Sequence, residues 1–467
     1  MPVIVIVADG ARPDAVVAGM DAGDLPALAS LRTDGGAYEV TTCAPSVTGP
    51  AYAPFLLGRY PAPIGLPGLR WYDRSRKTCR MPGNSRSYVG FEMRHLDDDL
   101  ESDSPTIYEM VPSSLGALSV ITRGLPARSR IGYGAGSKIR TGLTHFRGNV
   151  RGWLDIDRSI ARELRGRITR DHPDFVFAAF TGADKTSHAA GHESPLVLDS
   201  LRIVDSLVGE LRSDLESHGT WDRTHLWVVS DHGHVQLKDH EDLVRVLSDW
   251  GYRVRAHPWV YTSRGDVAAM VSGNALAHLY LDLESRERRW WRALALKWEP
   301  AVQQLLTRDS VDLVLLPHST GTVEIRARGS RGAAILQADE AGYSYRPRSG
   351  DPLGIGELAG LDRDEAYDAT MNSDYPDALV QIAALCSAER SGDVILSATR
   401  DWDFRARYEP IPHVSSHGAL HRDHMLVPLI LNRPPRLPPR RTVDVFPSAL
   451  AALGIAAPRV LDGRSFV

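Results

Sequence analysis

Cysteine is scarce in this chain. Cys43, Cys79 and Cys386 are an odd number without metal-like spacing in 467 residues, which excludes a disulfide framework. Lysine is scarce too: five of the 54 basic residues, a ratio that reads as the codon usage of a GC-rich genome. No apolar run approaches the roughly 18 residues that would span a bilayer, and no charged-then-apolar leader pattern precedes the first strand. Neither sign of charge dominates. Lys+Arg 54 against Asp+Glu 58 gives −4, no reason to expect a nucleic-acid or membrane surface. Internal repeats and low-complexity linkers are also missing. The expectation from these absences is a soluble, cytoplasmic protein.

What is present is ordinary in bulk and informative in detail. Hydrophobic content of 43% and charged content of 24% suit a globular chain. The length allows two or three domains, or one large α/β domain with insertions. Val3 to Ala8 is a continuous β-branched and apolar run, the pattern of a strand buried on both faces. It ends at Asp9-Gly10. Phe175 to Phe180 is a second such run, ending in Thr181-Gly182-Ala183-Asp184-Lys185-Thr186-Ser187-His188. Leu226 to Val229 is a third, ending in Ser230-Asp231-His232-Gly233-His234. An Asp just past a parallel strand faces the crevice where open α/β sheets bind ligands, or it caps the next helix. Asp184 and His188 are four apart, so one helical face carries both. Capping explains one such site well and three poorly.

Cys43-Ala44-Pro45-Ser46-Val47-Thr48-Gly49-Pro50 follows a β-like run from Tyr38 to Thr42 and precedes a helix-like run from Ala51 to Leu57. That arrangement places Thr48 at a helix N-terminus, either as an N-cap or as a group facing an anion. Arg70, Arg74, Arg76, Lys77 and Arg80 form a basic run that is a solvated face or, beside a site, a receiver of phosphate. Asp97-Asp98-Asp99 reads as an exposed acidic turn, Thr106 to Val111 as a short helix, and Val120 to Thr122 as a strand. The glycines of Gly132 to Gly136 lack a strand-then-helix frame and are no nucleotide loop. Leu201, Val204, Val208, Leu211 and Leu215 keep helical spacing.

From Leu243 to Thr399 the pattern changes. Strand-like pieces at Ala277–Leu283, Val311–Leu316, Gly321–Arg328 and Ala333–Gln337 accompany a helix near Arg286 to Leu305, with Trp290-Trp291 as core. This reads as an inserted α+β subdomain (243–399) within a catalytic α/β core made of 1–242 and 400–467. Asp393 to Ser397 is expected to return to the main fold. His413, His417, His421 and His424 crowd one loop before a last strand at Val427–Leu431, a pattern of metal sites. Val443 to Leu453 is a C-terminal helix.

Asp9, Thr48 before Gly-Pro, Asp184 with His188, Asp231-His232-Gly233, and His417-Gly418 before a strand together resemble the alkaline phosphatase superfamily, in its type I phosphodiesterase/nucleotide pyrophosphatase branch. Thr442 to Ser448 is similar to the helix that closes those domains. The resemblance implies an alkaline phosphatase-like three-layer α/β sandwich with a central, mostly parallel sheet and an inserted α+β subdomain. It implies two divalent ions, zinc first. One is held by Asp9, Asp231, His232 and Thr48, the other by Asp184, His188 and His417, with His234 and His192 outside that set. It further implies Thr48 as nucleophile, a covalent phospho-threonine, and a small phosphorylated substrate met by Lys185, Arg70 and Tyr72. Two dications and three carboxylates leave one positive charge, which a Thr48 alkoxide cancels; that balance suits a singly charged diester.

The chain departs from the branch at three places. Leu69 stands where an Asn is usual, Gly49 where an aromatic follows the nucleophile, and Ala51 where another Asn is usual. Nucleotide specificity therefore does not follow. The sulfatase motif lacks its Arg in Cys43 to Val47, which excludes that branch. A phosphomonoesterase, phosphonate hydrolase or phosphotransferase is the alternative, and a non-catalytic metal-binding module recognising a phosphorylated partner is a third reading.

Overall fold

Alternation along the first strand decides the layers. In β1 (Val3–Ala8) every residue is buried; Val3, Val5 and Val7 join one core, and Ile4, Ile6 and Ala8 another. A strand apolar on both faces needs cover on both. The structure, a computed structural model, describes residues 1–75, 85–257, 265–404 and 413–467. Cys79, Arg76, Lys77 and Arg80 lie outside the described residues.

The central sheet also contains β2 (Ala37–Thr41), β3 (Ser114–Ala117), β4 (Arg130–Ile131), β5 (Phe175–Phe180), β6 (His225–Val229) and β7 (Leu426–Leu431), in spatial order β2-β7-β6-β1-β5-β3-β4. Pairing is parallel from β6 through β1, β5 and β3 to β4, whereas β7 is antiparallel to both its neighbours. One face is covered by α1 (Pro13–Asp21), α2 (Pro26–Gly35), α4 (Val150–Asp171) and α6 (Pro195–Ser217), through Val16, Leu28, Ile160 and Val204. The other is covered by α3 (Ala53–Leu57) and α7 (Val445–Leu453), through Phe55, Leu56, Phe446 and Leu450. The fold is thus the expected three-layer α/β arrangement. Between α4 and α6, α5 (Gly182–Ala190) leaves the end of β5.

A second sheet of nine strands is drawn from residues between β6 and β7. Its order is 254–255, 267–271, 276–281, 394–398, 311–319, 322–327, 333–339, 342–349, 358–361. A helix at Trp291–Leu305 covers one face with Trp291 and Trp298, and one at Ala378–Ser387 covers the other with Leu379 and Ile382. Val394–Ala398 pairs with 276–281 and 311–319, so this segment stays in the second sheet and the chain returns to the first only at β7.

Other expectations also change. Val120 to Thr122 is no strand: its polar groups are taken locally, the Thr122 N–H and hydroxyl by Asp97 and the Ile121 carbonyl by Ser119. The strand lies earlier, at β3. The acidic turn is not solvated throughout. Asp99 is buried against Arg86 and Tyr88, and Asp97 is spent on Thr122. The described part of the basic run is not a solvated face either: Arg70 is buried, and Arg74 pairs with buried Asp393. No helix among the described residues is long and apolar enough to cross a membrane.

Candidate metal centre

Sheet order explains why distant residues meet. Strands β6, β1 and β5 are neighbours, about 4.8 Å apart, and run the same way. Their C-terminal ends therefore present Asp231-His232, Asp9 and the first turn of α5 along one edge. Because β7 runs the opposite way, the loop before it starts from that same edge and delivers His417. Asp184 and His188 sit one turn apart on α5, with His188 Nε2 3.1 Å from Asp184 Oδ1.

Thr48 reaches this edge from a turn. The expected helix from Ala51 is a 3-10 turn, Pro50–Tyr52, followed by the five residues of α3. Thr48 therefore caps nothing. Gly49 has φ +100, where a side chain is strained. That backbone demand accounts for glycine in the position after Thr48. The Thr48 hydroxyl donates to Asp9 (3.2 Å to Oδ1) and lies 3.2 Å from His232 Nε2.

The buried donor set divides into two touching groups. Asp9, Asp184 and His232 form one, and Asp184, His188, His234 and His417 the other; within each group the ligand atoms lie within 4.8 Å of one another. The His232 and His417 rings stack at 3.6 Å. His417 Nε2 is 3.2 Å from His188 Nε2 and 3.5 Å from Asp184 Oδ1. His188 Nδ1 donates to the Ser415 carbonyl, and His417 Nδ1 to the Ser46 carbonyl, each at 2.8 Å. A carbonyl can only accept, so in the neutral rings both Nε2 atoms are bare lone pairs facing each other and a carboxylate.

Charge is equally unbalanced. Burial, then Asp9, push the Asp231 carboxyl up to about 7. Burial alone would depress His232, but Asp231 and Asp9 outweigh it and lift the imidazole to about 9. Burial holds His417 well below its usual value. Burial opposes ionisation of Asp184, yet Lys185 and His188 hold its carboxyl well below the usual range. Asp231 Oδ2 is buried without a hydrogen-bond partner. Oxygen and imidazole nitrogen donors, bare lone pairs and an orphaned carboxylate oxygen fit divalent cations of the zinc type.

The structure brings Asp9, Thr48, Asp184, His188, Asp231, His232 and His417 to this edge. Lys185 is there as well, 2.7 Å from Asp184 Oδ2. Arg70 and Tyr72 belong to a short strand paired with Ser85–Ser87. The Tyr72 hydroxyl accepts from Arg255 and its ring packs on Tyr280, so its described contacts are elsewhere. Of the other loop histidines, His413 stacks on His188 at 4.1 Å, His421 faces Asp423, and His424 accepts the Ala419 N–H. Leu69 makes backbone bonds to Ser272 and Tyr88 and packs on the core.

Sequence reasoning missed three groups. His234, set aside there, lies 2.9 Å from Asp184 Oδ1. Ser415 serves two of the imidazoles. Asp157 of α4 is buried and accepts the N–H groups of Thr181 and Gly182 where α5 begins. Asp157 interrupts an apolar helix face, and that is the only signal the sequence carried for it.

A family model described as type I phosphodiesterase / nucleotide pyrophosphatase matches residues 3–423. No curated protein matches. Among solved structures, phosphonoacetate hydrolase from Sinorhizobium meliloti 1021, in complex with phosphonoformate, aligns with a TM-score of 0.59 at 16% identity, over 97% of this chain and 95% of that one. Murine ectonucleotide pyrophosphatase/phosphodiesterase 5 aligns at 0.57 and 14% identity, over 98% and 96%. The human protein of that name aligns at 0.55 and 13%, over 99% and 97%. At these identities the likeness shows the fold.

Proposed function

The chain belongs to the type I phosphodiesterase / nucleotide pyrophosphatase family, and from that premise we propose that it is a two-metal phosphohydrolase acting on phosphodiesters through Thr48. The observation that carries the reading is the Thr48 hydroxyl, the one partly exposed member of an otherwise buried Asp/His group, 3.2 Å from both Asp9 and His232. Asp9, Asp231, His232 and Thr48 would hold one ion, and Asp184, His188 and His417 the other. When bound, such ions supply Lewis-acid charge and make a coordinated oxygen nucleophilic near neutral pH.

Thr48 Oγ1 gives up its proton to solvent and attacks phosphorus. The Oγ1–P bond forms as the bond from phosphorus to the leaving alkoxide breaks, and that alkoxide takes a proton. Water then attacks the phospho-threonine, and Thr48 leaves with its oxygen reprotonated. Asp9 and His232 orient the hydroxyl for the first displacement. The carbonyls of Ser46 and Ser415 fix the tautomers of His417 and His188. Three carboxylates and a Thr48 alkoxide against two dications leave a nearly neutral site, which favours a singly charged diester.

Hydrolysis of monoesters or phosphonates is the second reading, favoured by Leu69. Its side chain offers no donor to a phosphoryl oxygen, and its backbone groups are already paired. Comparing turnover of a nitrophenyl phosphodiester, its monoester and a phosphonate by the zinc-loaded protein separates the two. Thr48→Ala tests the mechanism: diester turnover falls to background while metal content is unchanged. Full activity in that variant refutes the nucleophile.

A further inference from the structure

We propose that His234 is a fourth protein ligand of the ion held by Asp184, His188 and His417. The proposal rests on the two-metal reading above and adds a residue to it. Asp184 Oδ2 is occupied by Lys185 at 2.7 Å. Its Oδ1 is approached by three imidazole Nε2 atoms: His234 at 2.9 Å, His188 at 3.1 Å and His417 at 3.5 Å.

The His234 tautomer decides what that contact is. Its Nδ1 lies 2.9 Å from Ser415 Oγ. A serine hydroxyl has one proton, and that of Ser415 goes to the Val235 carbonyl at 2.8 Å. The oxygen therefore accepts from His234 Nδ1–H, and Nε2 is left as a lone pair aimed at a carboxylate oxygen. Two lone pairs at that distance repel unless a cation lies between them. The same pattern holds for His188 and His417, whose Nδ1–H groups go to carbonyls. Imidazole ligands show this habit, donating from the ring nitrogen that does not bind the ion.

The spacing agrees. Bonds of about 2.0–2.1 Å in a tetrahedral site imply ligand–ligand edges of about 3.3 Å. Four of the six separations among these donors are 2.9, 3.1, 3.2 and 3.5 Å, and all lie within 4.8 Å. The backbone makes room for the fourth ring. Gly10 has φ +73, and a Cβ there would meet His234 Cδ2 and Asp184 at 3.0 Å.

Four protein ligands complete a tetrahedron, so an oxygen of substrate or water joins this ion only as a fifth ligand. The ion beside Thr48 would have three such ligands, Asp9, Asp231 and His232, and would share its fourth, the Thr48 oxygen, with the reacting phosphorus. The two sites therefore differ in tightness, with the Asp184 ion the slower to leave.

The test compares the wild-type protein with His234→Ala and His234→Gln by metal content and chelator competition, using zinc alone. The Gln amide can still donate to Asp184 but supplies no imidazole. The expected result is two ions in the wild type, and one ion weakened more than about 100-fold in both variants, beyond what loss of a hydrogen-bonding neighbour usually costs. If Gln binds both ions as tightly as the wild type, His234 is a positioning residue and the proposal is overturned. If the wild type binds no divalent ion, the two-metal reading falls as well. X-ray absorption on the cobalt-loaded wild type needs no variant to fold. It should count four imidazoles over the two ions, and a count of three overturns the proposal.

Discussion

Asp231 shows how the site trades stability for binding. It is buried, one oxygen lacks a partner, and Asp9 faces it. In metal-free protein above about pH 7 an ionised Asp231 is a cost to the fold; with an ion bound it becomes an anchor. Thermal unfolding at pH 8 with chelator and with zinc reads both effects. Asp231→Asn should raise the metal-free midpoint and shrink the rise on adding zinc, which in the wild type reaches about 4 kcal/mol at a thousandfold excess over Kd. An equal fall in both conditions would contradict this. At this scale the aspartates were legible, because each follows an apolar run that could only be a buried strand. His234 was not legible. Nothing in the sequence announces that Gly10, more than 200 positions away, leaves space for its ring.

Helix α5 carries two donors of one site, Asp184 and His188, and is held at its start by Asp157. Burial lifts the Asp157 carboxyl to about 7, against the pull of the two N–H groups it accepts. The native state thus holds this proton more tightly than the unfolded chain, whose ordinary value is about 3.9. Stability from this group is full below pH 4 and declines as pH rises toward 7. Asp157→Asn has no proton to lose, so that part of the decline, up to about 4 kcal/mol, should vanish from denaturation curves taken across the interval. An unchanged slope would show that Asp157 ionises freely in the fold.

Strands β1, β5 and β6 and helix α6 were readable because their periodicity matches their burial. Elsewhere local chemistry won. At Val120–Thr122 hydrogen bonds donated to Asp97 and accepted from Ser119 replaced a ladder. At Thr48 the turn demanded by Gly49 displaced the expected cap.

Across the whole molecule, the second sheet bears on the site. Its turn at Ser272–Ala275 accepts the Leu69 N–H, and the Ala275 N–H donates to the His417 carbonyl. Gly418, at φ +114, lies so close to Gly273 that a Cβ would overlap the Gly273 carbonyl oxygen. A Cβ on Gly273 would lie 3.1 Å from Pro45, in the loop that leads to Thr48. Residues from 45 to 48 and from 415 to 418 are thus wedged together by a turn of the other sheet. We propose that residues 243–399 act as an inserted unit whose task includes this support. The change of pattern after Leu243 was visible in the sequence; the return point was not, since Val394–Ala398 reads as a buried strand in either sheet.

The most direct measurement is to mix the zinc-loaded protein with a phosphodiester that has a good leaving group, quench in acid within one turnover, and map the peptides by mass spectrometry. A phosphoryl group on the peptide bearing Thr48, absent when the metal is stripped, is the predicted result. Rapid turnover with Thr48 unmodified at every quench time would contradict the account.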